Sequence, residues 1–169
     1  MDLHLARLLL ITSEWPQRGS RIPPQPRPAS PVRRQAEALK AAGMSVEIFA
    51  FRGRTFFNYA AAWARLRPRL HPARYDLVHA QETADVLLAL PKRVPLVVTV
   101  RKRNSRWFLH QMLTLVLARR ADAVIVPSAD VGRQLRTRKP IFIIAPETDE
   151  QALTRRLLDV YRAVLPSRS

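Results

Sequence analysis

The sequence predicts a doubly wound α/β domain, and three observations predict it. Six short apolar runs recur along the 169 residues. Most are nearly continuous in Val, Ile, Leu and Phe rather than alternating with polar residues, which is the pattern of parallel strands covered on both faces. Helical patterns fill the gaps, and alternation of this kind implies right-handed crossovers in a parallel sheet. The length suits one domain with a core of its own.

Residues 6–12 (ARLLLIT) read as the first buried strand and 45–51 (SVEIFAF) as the second. Residues 76–80 (DLVHA), 95–100 (PLVVTV), 121–126 (ADAVIV) and 140–144 (PIFII) supply four more. Residues 17–31 carry Pro23, Pro24, Pro26, Pro28 and Pro31. They predict a stiff, extended loop between the first strand and the first helix. That helix opens with Ser30 as N-cap and Pro31 at its first position. It continues through Val32, Gln35, Ala36, Leu39 and Lys40 to Gly43, which suits the left-handed residue after a helix. Further helices are predicted over 55–66, 83–90 (stopped by Pro91), 105–120, 128–136 and 148–165. In the last, Asp149 and Glu150 complement the helix dipole. Its apolar face is Ala152, Leu153, Leu157, Val160, Tyr161 and Val164. The expected organisation is one Rossmann-like domain over residues 1–148, with a mostly parallel six-stranded sheet and helices on both faces. A C-terminal helix, 149–169, packs back on it.

Composition narrows the function classes. A chain 47% hydrophobic and 25% charged has ordinary globular usage. Without cysteine, disulfides, iron–sulfur clusters and thiolate zinc sites are excluded. The four histidines, His4, His71, His79 and His110, show no metal-ligand spacing. The apolar start is too short for a secretory signal, and no stretch is long enough to span a bilayer. A cytoplasmic protein is therefore expected, peripheral on the inner membrane face if it meets a membrane at all. The 29 basic and 13 acidic residues give a net charge of +16. Compositional bias toward Arg explains this as well as a polyanionic partner does.

The order of certain segments resembles the N-terminal half of family 4 glycosyltransferases of the GT-B type. Ser13, Glu14, Trp15 and Pro16 match the turn after that family's first strand. Arg33, Arg34, Gln35, Ala38 and Leu39 match its first helix. Residues 75–80 (YDLVHA), 96–100 (LVVTV) and 120–128 (RADAVIVPS) match later strands. The final stretch, 149–165, resembles the helix that crosses back from the second half of such enzymes onto the first, and reads equally as an ordinary sixth helix of the fold.

The resemblance also implies what is missing. The donor-binding half has no counterpart here, so a nucleotide sugar is expected as cofactor only with a partner half. Of the Gly-rich loop only Gly19 remains, and prolines occupy the stretch before the helix, where they remove amide donors. Where the family has a His-Gly pair after the fourth strand, this chain has Arg101 and Lys102. No catalytic residue is therefore assigned. The expected function is a truncated glycosyltransferase-like domain, inactive alone, that binds a glycan, nucleotide or lipid-linked anion or acts with a partner subunit.

The candidate ligand residues are Ser13, Glu14, Gly19, His79, Arg101, Lys102, Arg103 and Asn104. Arg101, Lys102, Arg103 and Arg106 make a basic knot, expected near a reversal of strand order between strands one and four, and read as an anion site or as a solvated charged loop. His79 ends a strand at the ligand-bearing edge and reads as a sugar contact or as a structural histidine. Glu82 and Asp85 read as an acid–base pair or as stabilisers of a helix start. Phe56, Phe57, Trp63 and Arg65 read as a helix face packed on the core or as one facing an anionic membrane. Residues 107–117 (WFLHQMLTLVL), apolar nearly all round, suggest a homodimer contact, and a separate subunit carrying the second half is the other expected partner. The alternative is a basic membrane- or nucleic-acid-associated module without transferase activity. No helix-turn-helix, zinc-finger or aromatic RNA-binding signature is present, so nucleic acid is not the expected partner.

Overall fold

The computed structural model describes residues 6–13, 31–51, 55–100, 116, 119–135, 137–145 and 149–165. Six strands form one sheet: β1 (Arg7–Thr12), β2 (Ser45–Ala50), β3 (Leu77–Ala80), β4 (Leu96–Thr99), β5 (Ala123–Val126) and β6 (Ile141–Ile143). Their order is β2-β1-β3-β4-β5-β6, and every pairing is parallel. Each strand lies within a run predicted above. The expected reversal of strand order is misplaced, however. β3 lies between β1 and β4, so the reversal falls between β1 and β3. The four residues of β3 are all buried, which suits a central position in the sheet.

Helices cover both faces. α1 (Pro31–Ala41) and the last helix, α4 (Glu150–Val164), lie on one face. There Val32, Ala36, Leu39, Leu157, Val160 and Tyr161 meet Leu8, Leu10, Leu77, Val97 and Ala123. α2 (Phe56–Leu66), the 3₁₀ helix Thr83–Ala89 and α3 (Ala129–Gln134) lie on the other. There Ala62, Leu66, Val86, Leu88 and Leu135 meet Leu9, Ile11, Val78, Val98 and Val124. Residues of one strand alternate between the two clusters, as the pleat requires. Leu8, Leu9, Leu10 and Ile11 are wholly enclosed, and burial of each contributes roughly 1.5–3 kcal/mol.

Local chemistry sets the boundaries. The α1 terminus is a Schellman turn: Gly43 N–H donates to Lys40 O at 2.9 Å and Met44 N–H to Leu39 O at 3.1 Å. Thr55 caps α2 by accepting from Asn58 N–H at 3.3 Å. Asp149 caps α4 by accepting from Gln151 and Ala152 N–H. The segment predicted as an α-helix over 83–90 is instead a 3₁₀ helix, Thr83–Ala89. In that geometry side chains three apart eclipse. Asp85 stacks over Leu88 and Val86 over Ala89, and all four are buried, a burial pattern the tighter helix satisfies.

Polar staples close the N-terminal edge of the sheet. Asp76 accepts from the Arg7 backbone N–H at 2.9 Å and from its guanidinium at 3.1 and 3.0 Å, tying the start of β3 to β1. Asp122 accepts from Leu96 N–H at 2.9 Å and Lys92 Nζ at 2.6 Å, tying β5 to β4. Tyr75 OH donates to Glu47 at 2.6 Å.

Gly43 has φ 92°, a conformation that strains any residue with a Cβ. Gly43→Ala should lower unfolding stability by about 1 kcal/mol, read as a reduced urea midpoint.

Candidate functional site

Because all six strands are parallel, their C-terminal ends share one edge. On the α1/α4 side of that edge lies a cavity of about 510 Å³, within the usual range for small-ligand sites. Its polar groups come from Gln35 of α1, His79 and Gln81 at the end of β3, and Thr99 of β4. Its apolar walls come from Ile125 and Val126 of β5, Ile144 beyond β6, and Leu153 and Leu157 of α4. Among the described residues no charged side chain lines it.

His79 organises the floor. It is 1% exposed. Its Nδ1 lies 2.8 Å from Tyr161 OH and its Nε2 lies 2.8 Å from Thr99 Oγ1. A neutral imidazole satisfies both contacts, donating from one nitrogen and accepting at the other. Gln35 reaches the same Tyr161 phenol from α1. Burial pushes that phenol far above its ordinary pKa, so it stays neutral. The chain Gln35–Tyr161–His79–Thr99 therefore joins α1, α4, β3 and β4, and ends on a half-buried threonine at the cavity. Hydroxyl, imidazole and phenol stand in the order of a nucleophile–base–orienter triad. The orienting group here is a neutral phenol rather than a carboxylate. It gives an imidazolium no charge to pair with, so the arrangement suits fixed hydrogen bonding better than nucleophilic attack.

A second polar cluster sits across the sheet, where strand order reverses between β1 and β3. Asp85 is wholly enclosed. It accepts from Ser13 N–H at 3.3 Å and from Tyr59 OH at 3.4 Å. Glu82 accepts from Ser13 Oγ at 3.4 Å. Burial, and then the neighbouring Glu82 charge, raise the Asp85 pKa to about 7. Burial and the Asp85 charge raise that of Tyr59 to about 12.

Of the sequence-predicted ligand residues, His79 lies in the cavity. Ser13 lies with the carboxylates on the other face. Glu14, Gly19, Arg101, Lys102, Arg103 and Asn104 fall outside the described residues, as do Arg106 and most of 107–117. Phe56 and Phe57 are 82% and 80% exposed, and Arg65 is exposed. Trp63 is half-buried and donates its indole N–H to Leu90 O at 2.8 Å. Sequence reasoning did not single out Gln35, Gln81, Thr99 or Tyr161 for the site. A signal existed for Gln35, an uncharged polar residue beside Val32, Ala36 and Leu39 on a helix face that is otherwise apolar. Among the described residues no helix is long and apolar enough to cross a membrane.

The family model Glycosyltransferase Family 4 matches residues 30–150, a span that includes every strand after β1 and most of the cavity. The chain belongs to Glycosyltransferase Family 4. No curated protein matches the sequence. Among solved structures this family 4 chain is similar to sucrose-phosphate synthase from Thermosynechococcus elongatus. That match has a TM-score of 0.69 and 17% identity, and covers 93% of this chain and 98% of the other. At that identity the likeness shows a shared fold.

The Asp85 shift makes stability depend on pH. Between about 4 and about 7 the folded chain holds a proton on Asp85 that the unfolded chain has released. Stability therefore falls as pH rises through that window. Asp85→Asn should flatten this slope by about one proton, measured by urea unfolding at a series of pH values. Tyr161→Phe removes a buried partner of His79 and should cost about 1–3 kcal/mol, read in the same assay at constant pH.

Proposed function

We propose that this chain is a sugar-binding module of Glycosyltransferase Family 4 that does not transfer a glycosyl group by itself. The cavity carries the reading. A pyranose ring presents C–H faces and a rim of hydroxyls. The cavity offers apolar walls from Leu153, Leu157, Ile125 and Val126 and a rim of Gln35, Gln81 and Thr99. With no charge on its described lining, it suits the neutral ring of a ligand rather than a phosphate. Val100 belongs to the lining, and the next residues in the sequence are Arg101, Lys102, Arg103 and Asn104. An anionic group attached to the sugar, such as a diphosphate or lipid-linked phosphate, is assigned to that basic stretch.

Transfer is not assigned to this domain alone, because Arg101 and Lys102 stand where the family's His-Gly pair is expected. α4 packs against α1 and β4, where a helix returning to this half from beyond a second one would dock.

A thermal-shift screen tests the proposal with free monosaccharides and disaccharides, nucleoside diphosphates, and their sugar conjugates. A ligand at a hundredfold excess over its Kd adds about 2.7 kcal/mol to apparent stability. Sugars or sugar conjugates should raise Tm. Leu153→Trp, which fills the cavity from α4, should abolish the rise, and Arg101→Ala with Arg103→Ala should weaken only the anionic ligands. No rise with any sugar-bearing ligand overturns the proposal.

A further inference from the structure

The hydrogen bonds on the cavity floor run in one direction. His79 Nδ1 lies 2.8 Å from Tyr161 OH and 3.5 Å from Gln81 Nε2. An amide nitrogen donates and does not accept. A proton on Nδ1 would therefore face the Gln81 N–H. Nδ1 is the acceptor, and Tyr161 OH donates to it. Gln35 agrees with this direction. Burial raises the Tyr161 pKa and the Gln35 contact opposes the rise, as an N–H donated to the phenol oxygen does. With Nδ1 accepting, the single ring proton sits on Nε2 and is donated to Thr99 Oγ1 at 2.8 Å.

Two groups are left over, and both belong to the cavity lining. Thr99 Oγ1 accepts from His79, and among the described residues its own hydroxyl hydrogen is not committed elsewhere. Gln81 is 4% exposed, and its Oε1 accepts no hydrogen bond from the described residues. Among those residues no side-chain oxygen sealed from solvent lacks a partner. Gln81 Oε1 is therefore open to the cavity. The register that pairs Ala80 with Val98 continues to Gln81 beside Thr99, on neighbouring strands about 4.8 Å apart. The floor thus presents a donor and an acceptor side by side. A hydroxyl group donates and accepts, and satisfies both. A phosphate oxygen only accepts, and would meet the Gln81 carbonyl oxygen with like polarity.

We propose, on the basis of the sugar-binding reading, that Thr99 and Gln81 are the specificity-determining pair that reads a sugar hydroxyl, and that His79 is a positioning residue that sets their polarity. Thr99 donates to the hydroxyl oxygen and Gln81 Oε1 accepts its proton. Tyr161 holds His79 in the tautomer that this requires, so α4 contributes to recognition through the imidazole.

Two measurements test the pair. Ring ¹⁵N shifts of His79 in the ligand-free wild-type chain should show a neutral imidazole protonated at Nε2. Protonation at Nδ1, or an imidazolium at neutral pH, overturns the proposal. Calorimetry then compares methyl pyranosides of glucose, galactose and mannose with their monodeoxy derivatives. On the wild-type chain, removing one particular hydroxyl should weaken binding about tenfold. Thr99→Val should weaken the parent glycoside by a similar factor and bind that deoxy derivative equally well. Thr99→Ser, which keeps the hydroxyl, should restore the discrimination. Gln81→Leu removes the acceptor, leaves the His79–Thr99 bond in place, and should also weaken the parent glycoside. If glycosides bind and Leu153→Trp abolishes binding, yet Thr99→Val and Gln81→Leu discriminate as the wild type does, the hydroxyl-reading pair is overturned and the sugar-binding reading stands. If no glycoside binds the wild-type chain, both are overturned.

Discussion

The contact between His79 and Tyr161, 2.8 Å long and closed to water, sets the geometry of the α1/α4 face. A parallel sheet must be covered on both sides, and here α4 shares one side with α1. An apolar stripe alone would let such a helix slide or rotate by small amounts. A buried phenol and a buried imidazole permit much less, because either group left without its partner costs its full desolvation. Leu153, Leu157 and Tyr161 are spaced four apart on one stripe of α4. The hydrogen bond that places Tyr161 over β3 therefore also places Leu153 and Leu157 as cavity walls. Anchoring the helix and shaping the site are one event.

The two edges of the sheet carry different chemistry for a related reason. At the N-terminal edge, Asp76 and Asp122 accept from backbone amides and basic side chains of neighbouring strands. The ion pairs there, Arg7–Asp76 and Lys92–Asp122, are partly exposed and add little stability as pairs. Their effect is to fix where strands begin. Among the described residues, the polar groups at the C-terminal edge are uncharged, apart from the carboxylates beneath Ser13. They face a cavity on one side of the sheet and the 3₁₀ turn on the other. Helix dipoles and strand ends converge on that edge, which is why sheets of this kind hold ligands there.

The division between faces extends to the outer surface. α1 and α4 enclose the cavity on one side, while α2 on the other buries only the side of its helix that meets the core. The same sheet thus carries a cavity with an uncharged described lining on one side and an exposed aromatic and basic helix on the other. Neither requires the other to move, since the whole thickness of the core separates them.

All six strands and the start and stop of α1 were legible in the sequence. They depend on local properties: near-continuous apolar runs, a proline at the first helical position, and a glycine where the backbone turns left-handed. Family membership was legible as well, because short segments kept their order along the chain. The apolar face of the last helix could be read from spacing alone, down to Leu157, Val160 and Tyr161. Strand order could not, because the placement of β3 beside β1 is a choice among crossovers that share one hydrophobic pattern. The 3₁₀ form of residues 83–89 was hidden too, since the burial of Asp85 depends on Ser13 and Tyr59, which are distant in sequence. For the same reason the sequence named His79 without pairing it with Thr99 or Tyr161, which lie 20 and 82 residues away. Among the described residues, the sequence alone determined which segments would be strands and helices and which lineage they came from. Only the tertiary structure decided which polar side chains would meet, because a hydrogen bond between distant residues leaves no periodic trace in either of the segments that make it.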